Sequence, residues 1–119
     1  MKDFRQLKVW EKSHQLALAI YKATKEFPKE ELHGLTSQIR RSSMSIPTNI
    51  AEGCGRNTDT DFARFLQMAM GSASETEYQL ILARDLEFLP KDSYEKLHND
   101  AEEVKRMFAS LLRTISADH

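Results

Sequence analysis

The fold is decided by the stretch Gly34-Leu-Thr-Ser-Gln-Ile-Arg-Arg-Ser-Ser-Met-Ser-Ile-Pro-Thr-Asn-Ile-Ala-Glu-Gly-Cys-Gly-Arg56. At helical spacing it carries two stripes. Leu35, Ile39, Ser42, Ile46, Ile50 and Gly53 recur at intervals of 4, 3, 4, 4 and 3 and make a mostly apolar face. Gln38, Arg41, Ser45, Asn49 and Glu52 recur at 3, 4, 4 and 3 and make a polar row about 100° round the helix. A surface helix usually turns Lys and Glu to water, whereas this one shows short or hydrogen-bonding groups. The pattern predicts a helix with neighbours on more than one side. Pro47 lies in its middle, where it removes one backbone donor and crowds the carbonyl of Ser43, a cost of about 3 kcal/mol unless the helix adapts. Ser42, Ser43 and Ser45 offer local hydroxyl bonds there. A kinked continuous helix is the first expectation and a break at Ser45 the second.

Working outward, residues 7–27 read as a first helix. Val9, Ser13, Leu16, Ile20, Ala23 and Phe27 form its seam, widened by Trp10, Ala17 and Tyr21. Phe27-Pro28 ends it, and Lys29–His33 connects it to the central helix, 34–54, which stops at Gly53-Cys54-Gly55. Thr58-x-x-Asp61 resembles a capping box for a third helix over 61–89. Phe62, Phe65, Leu66, Ala69, Ala73, Leu80, Ala83 and Leu86 populate the buried side of that helix. Its centre, Ala69-Met-Gly-Ser-Ala-Ser74, is built from small residues, and Gly71 costs about 1 kcal/mol in helix propensity, so a packing reason is expected. After Pro90, Asp92-x-x-Glu95 is expected to cap a fourth helix over 93–115. Its seam is Tyr94, Leu97, Ala101, Val104, Phe108, Leu111 and Ile115. Ser116–His119 reads as a frayed tail. No strand and no internal repeat is visible. Short connections between four helices imply an all-α, antiparallel up-down-up-down bundle in one domain, 1–119.

The totals bound the function. With 119 residues, 40% hydrophobic and 29% charged, the chain suits one small globular core. No apolar run approaches the roughly 20 residues of a membrane span, and Met-Lys-Asp-Phe-Arg has no signal core, so a cytoplasmic location is the expectation. A single cysteine excludes an internal disulfide and a cysteine metal cluster. Net charge is −1, but residues 1–41 hold nine Lys/Arg against five Asp/Glu, and residues 42–90 hold three against seven. Such asymmetry suits either an anionic partner or complementary subunits.

Motifs for chemistry are sparse. Phosphate loops, nucleophile elbows and His-Glu-x-x-His are absent, and Cys54 reads as an inert small residue. The sharpest enzymatic alternative is a di-metal bundle using Glu30-x-x-His33 and Glu95-x-x-His98, joined by Glu26 and Glu87. The bland reading of those residues is surface charge at the bundle ends. The polar row is the better candidate. Gln38, Arg41, Ser45, Asn49 and Glu52, with Ser72 and Glu75 of the third helix, are expected to form a structural network with Arg41 paired to a carboxylate. Arg40 is expected to point to the surface. Arg5, Lys8, Lys12, Arg40 and Arg41 are the candidate contacts to a nucleic acid or partner, against a plain solvated face.

Gly34-Leu-Thr-Ser-Gln-Ile-Arg-Arg41, Ser45-Ile-Pro-Thr-Asn-Ile-Ala-Glu-Gly53 and Phe65-Leu-x-x-Ala-x-Gly-Ser72 with Glu75 resemble the 23S rRNA intervening-sequence protein family, the four helix bundle proteins. Phe4-x-x-Leu-x-Val-Trp10 extends the resemblance over nearly the whole chain. The resemblance implies an antiparallel bundle assembling as a ring-like homo-oligomer, a pentamer, without cofactor and without catalysis. It also implies relatives encoded within bacterial large-subunit rRNA genes. A similar fold serves the accessory variability determinant protein of diversity-generating retroelements, a pentameric barrel that binds nucleic acid and a reverse transcriptase. The family role of the motif residues Gln38, Arg41, Asn49, Glu52, Ser72 and Glu75 looks structural. The expected function is therefore a binding or scaffold module for RNA or a ribonucleoprotein, or alternatively a purely protein-binding, self-assembling module.

Overall fold

The computed structural model describes residues 2–117. Their α-helices are α1 (Lys8–Ala23), α2 (Leu35–Cys54), α3 (Asp59–Asp85) and α4 (Lys91–Ala117), and among the described residues there is no strand. Single 3₁₀ turns precede α1 (Phe4–Gln6), continue it (Thr24–Glu26) and fill the α1–α2 connection (Lys29–Glu31). α1 packs on α2 and α4, and α3 packs on α2 and α4, with the α2–α3 contact the most extensive. A 27-residue helix is about 40 Å long, which accounts for most of the 46 Å length of a body 22 by 20 Å across.

One core runs the length of the bundle. Val9, Leu16 and Ile20 of α1 meet Ile39, Ile46 and Ile50 of α2, Phe62, Leu66 and Leu80 of α3, and Leu97, Val104 and Phe108 of α4. These are the apolar stripes of the sequence, each turned inward. Leu111 and Ile115 remain half-buried where α4 outruns its neighbours, and α4 continues as helix to Ala117. The end of the expected tail, 118–119, lies outside the described residues.

α2 continues unbroken through Pro47. Side chains around the proline bond back to the preceding turn: Ser43 Oγ donates to Arg40 O (3.1 Å), Thr48 Oγ1 to Met44 O (2.9 Å) and Asn49 Nδ2 to Ser45 O (2.9 Å). At the start of α2, the Glu31 carboxylate accepts from Leu35 N (3.1 Å), where the helix dipole favours an anion. Thr58 caps α3 by accepting from Asp61 N (3.1 Å), as the spacing predicts.

Several boundaries differ from the sequence pattern: α1 stops at Ala23, short of Phe27, where the chain tightens into a 3₁₀ turn, and α3 begins at Asp59 directly after its cap. α4 starts at Lys91, with Tyr94 N donating to Pro90 O (2.9 Å), so Asp92 lies inside the first turn and does not cap it. α3 ends at Asp85, short of Leu89, in a Schellman turn. Phe88 N reaches back to Ala83 O and Glu87 N to Arg84 O, both at 2.9 Å, with Glu87 left-handed at φ 64°. The turn rotates Leu86 out to solvent, against its expected burial, and drops Leu89 into the core. No glycine marks this stop in the sequence.

A side chain in the left-handed region is strained by about 1 kcal/mol. Glu87→Gly is therefore expected to stabilise the fold by roughly 0.5–1 kcal/mol, read as a raised urea midpoint with an unchanged m-value. A lowered midpoint would refute this account of the turn.

Candidate functional site

The face centred on α2 carries most of the residues that the sequence singles out. Its deepest part is the seam with α3. Gly53 is buried there, and a Cβ at this position would stand 2.8 Å from Phe65 Cβ and 3.2 Å from Phe62 Cδ1. The glycine thus permits the helices to close at this end. Further along, Ser42 Oγ donates to Gln79 Oε1 (2.6 Å) and lies 2.8 Å from Thr76 Oγ1, all three side chains being buried. Thr76 Oγ1 also reaches Ser72 O at 2.9 Å, and Gln79 Nε2 reaches Glu75 Oε2 at 3.4 Å. Ser45 Oγ meets Ser72 Oγ at 2.9 Å and accepts from Asn49 Nδ2 at 3.0 Å. No buried side-chain polar atom among the described residues lacks a partner.

The structure brings Ser45, Asn49 and Ser72 together, with Glu75 at the margin. Gln38, Arg41 and Glu52 lie outside this network, exposed along its outer rim. Among the described residues Arg41 makes no ion pair, and its side chain is exposed. Ser42, Thr76 and Gln79 are the buried hub; in the sequence Ser42 falls within the apolar stripe, and the other two belong to no motif. Their signal was present: a hydroxyl inside an apolar stripe, and Thr76 and Gln79 one and two turns after Ser72 on the same side.

The adjacent arginines exchange their expected roles. Arg40 Nε donates to Thr24 Oγ1 (2.7 Å) and Nη2 to Tyr21 O (3.2 Å), with the guanidinium over the Tyr21 ring at 4.9 Å. It therefore closes the C-terminal end of α1, where a cation offsets the helix dipole, and is not free at the surface. Of the other basic residues, Arg5 is paired with Asp3 (3.1 Å) and Lys12 with Glu103 (3.0 Å). The Arg5 guanidinium holds the Asp3 carboxyl below its ordinary range, and the Glu103 carboxylate raises Lys12. Lys8 is exposed.

The two Glu-x-x-His pairs do not meet. Glu30 and His33 are exposed ahead of α2, Glu95 pairs with Lys91 (4.0 Å), and Glu26 and Glu87 are exposed. His98 turns instead to Glu77 and Glu102. Glu30, His33 and Glu95 stand in solvent or beside lysine near the helix starts, with no shared site. Cys54 is buried, and that burial raises its thiol above the ordinary range, the Lys2 ammonium acting weakly the other way.

Two apolar surfaces remain uncovered. Between α1 and α2 lies a groove of about 440 Å³ lined by Phe4, Trp10, Leu18, Tyr21, Met44 and Pro47. Leu18 and Met44, each about half exposed, form its rim. On α3 a second apolar stripe faces outward, Met68, Gly71 and Tyr78, with Leu86 just past the helix end; it is interrupted by Glu75 and by Leu82, which packs in part against the core, and preceded by Arg64. Met68 is 47% exposed and Tyr78 59%. Gly71 lies in the middle of this stripe, and a Cβ there would meet nothing within 4 Å. The packing reason expected for this glycine is therefore not inside the chain. Among the described residues no helix is long and apolar enough to cross a membrane.

Comparison with known proteins follows this geometry. The family model for the 23S rRNA-intervening sequence protein matches residues 5–110. A crystal structure from Bacteroides thetaiotaomicron, a protein with unknown function from the S23 ribosomal protein family, superposes with a TM-score of 0.79 at 32% identity, covering 87% of this chain and 97% of that one. No curated protein matches the chain.

The buried hub gives a direct test. Ser42→Ala removes the donor to Gln79 and leaves the buried Gln79 carbonyl without a partner, so the fold is expected to lose about 1–3 kcal/mol in chemical denaturation. Gln38→Ala, on the exposed rim of the same seam, is expected to change stability by less than about 0.5 kcal/mol. Equal effects would refute the assignment of hub and rim.

Proposed function

Since the chain belongs to the 23S rRNA-intervening sequence protein family, we propose that it is a non-catalytic, self-assembling helical bundle that acts as a scaffold for RNA or a ribonucleoprotein. Its helices run up-down-up-down, as the short connections and the packing of consecutive helices support. The observation that carries self-assembly is the second apolar stripe of α3. A helix apolar on two opposite sides is one covered on both, and Gly71 permits close approach at the centre of the outer side. The α1–α2 groove is the complementary surface, so that the contact is head-to-tail and repetition closes a ring, a pentamer in the reading the resemblance supports.

Nucleic-acid contact rests on less surface per chain. Arg5, Lys12 and Arg40 are held in contacts within the chain, leaving Lys8 and Arg41 as the basic residues of that set exposed without an ion pair. Repetition in a ring compensates, because several weak phosphate contacts on one rigid body act together. Engagement of those three residues favours the second reading, a self-assembling protein-binding module without nucleic acid. The cytoplasm suits either.

Light scattering on a sizing column separates the possibilities. The wild type is expected at an integral multiple of 13.7 kDa, and Met68→Asp with Tyr78→Asp is expected to be monomeric with helicity retained. Gly71→Ala is expected to stabilise that monomer by about 1 kcal/mol through helix propensity while weakening assembly of the otherwise unaltered chain. A wild-type monomer would overturn the assembly reading. In filter binding with structured RNA, affinity is expected to fall steeply with salt, and Lys8→Glu with Arg41→Glu to reduce it about tenfold at constant oligomer size. An affinity indifferent to salt would leave the protein-binding reading in its place.

A further inference from the structure

We propose that Glu77, His98 and Glu102 form a binding site for a divalent transition-metal ion of the zinc or cobalt class on the seam between α3 and α4. His98 and Glu102 stand one turn apart on α4, and Glu77 faces them from α3. One donor atom from each lies within 4.8 Å of the others. His98 Nε2 is 3.2 Å from Glu77 Oε2, and His98 Nδ1 is 2.9 Å from Glu102 Oε1. Two ligands about 2.1 Å from a tetrahedral ion stand about 3.4 Å apart, so the Glu77–His98 pair is already spaced as a ligand edge.

Groups outside the three donors aim them. Lys105 Nζ holds Glu77 Oε1 at 2.9 Å, which leaves Oε2 directed at the imidazole. Glu102 Oε1 stands on Nδ1, the ring nitrogen turned away from Glu77, with Arg106 3.9 Å from its other oxygen, so Glu102 is the donor that has to move. The Tyr94 ring, 5.3 Å from the imidazole between centroids, limits its rotation. Partners of this kind, which fix ligand orientation without touching the ion, govern metal affinity strongly. The His98 and Glu77 side chains are 21% and 22% exposed and that of Glu102 43%. An ion can therefore enter from solvent and keep water in its remaining positions.

The donor set selects the metal. One nitrogen and two carboxylate oxygens suit Zn²⁺, Co²⁺ or Mn²⁺, and the imidazole disfavours Mg²⁺ and Ca²⁺. On binding, Glu102 completes the third position by swinging its exposed side chain round from the Nδ1 side of the ring. The site joins α3 to α4 and is independent of the assembly surfaces.

Calorimetric titration of metal-free protein with ZnCl₂ near neutral pH tests the site. One ion per chain is expected, with affinity reduced at least tenfold in His98→Gln and in Glu77→Gln and unchanged in a His14→Gln, His33→Gln double variant. Saturation is expected to raise the melting temperature by roughly 5 °C or more. Equimolar Co²⁺ added to the wild type is expected to show visible ligand-field absorption, a readout that needs no variant to fold. Absence of those bands, or Zn²⁺ binding that survives His98→Gln, overturns the proposal and leaves the three residues as an ion-paired pin.

Discussion

The closeness of α2 to α3 is the constraint on which the other parts of the bundle depend. At one end Gly53 lies against Phe62 and Phe65, where even a methyl group would collide with side-chain carbon near the backbone. Midway, Ser42, Thr76 and Gln79 satisfy one another where all three side chains are buried. Apolar packing alone tolerates a slip of one helix along another at modest cost. A buried network does not, because a slipped register leaves polar groups unpaired. The small side chains that allow the approach are therefore also the ones that fix its register, and α1 and α4 pack against a pair already set.

That arrangement makes α3 the unusual helix. Its inner side is committed to α2 and α4, yet Met68, Tyr78 and Leu86 stand in solvent on its outer side. Scattered exposed apolar residues need no explanation, but a stripe at helical spacing with a glycine at its centre does. Gly71 lowers helix stability without improving any contact within the chain. Gly53 and Gly71 look alike in sequence, each a glycine inside a helix. One answers to a neighbour inside the chain and the other has none there. The same α3 also supplies Glu77 to His98 and Lys105 of α4, so its three sides face a core, a seam of paired charges and solvent.

Four helices, their order and their inward stripes were legible in the sequence because burial follows a period that residue type reports directly. The inward seams of Val9 to Ile20 and Tyr94 to Phe108 are read without ambiguity, while Phe27 is buried from beyond the end of α1. The end of α3 was not legible. Its stop depends on Glu87 taking a left-handed conformation that glycine usually supplies, and the apolar period carries on through Leu86 and Leu89 regardless. The polar hub was half legible. Ser45, Asn49 and Ser72 declare themselves as small polar groups in a row, whereas Ser42 was hidden among isoleucines and Gln79 looked like any solvent-facing amide. Hydrogen-bond partners across helices are set by register, which one strand of sequence does not contain. His98 shows the same limit: its spacing to Glu95 is on the chain, its contact to Glu77 only in the fold.

Arg40 and Arg41 show how far a single helical step decides function. Both are basic, adjacent and alike in sequence, and a rotation of about 100° separates them. Arg40 falls over the end of α1, where unsatisfied carbonyls and the Tyr21 ring capture its guanidinium. Arg41 falls on the outer rim of the α2–α3 seam beside the apolar stripe of α3. A charge fixed within the chain contributes to the fold and is spent as far as a partner is concerned, so counting basic residues overstates the surface available to phosphate. The same reasoning applies to Arg5 and Lys12, each already facing a carboxylate. Within the basic first third, Lys12 and Arg40 tie α1 to α4 and α2, while Lys2 and Arg5 are paired with aspartates nearby. Contact with anything outside falls to the remaining cations, Lys8 and Arg41 among them, and to the apolar surfaces beside them.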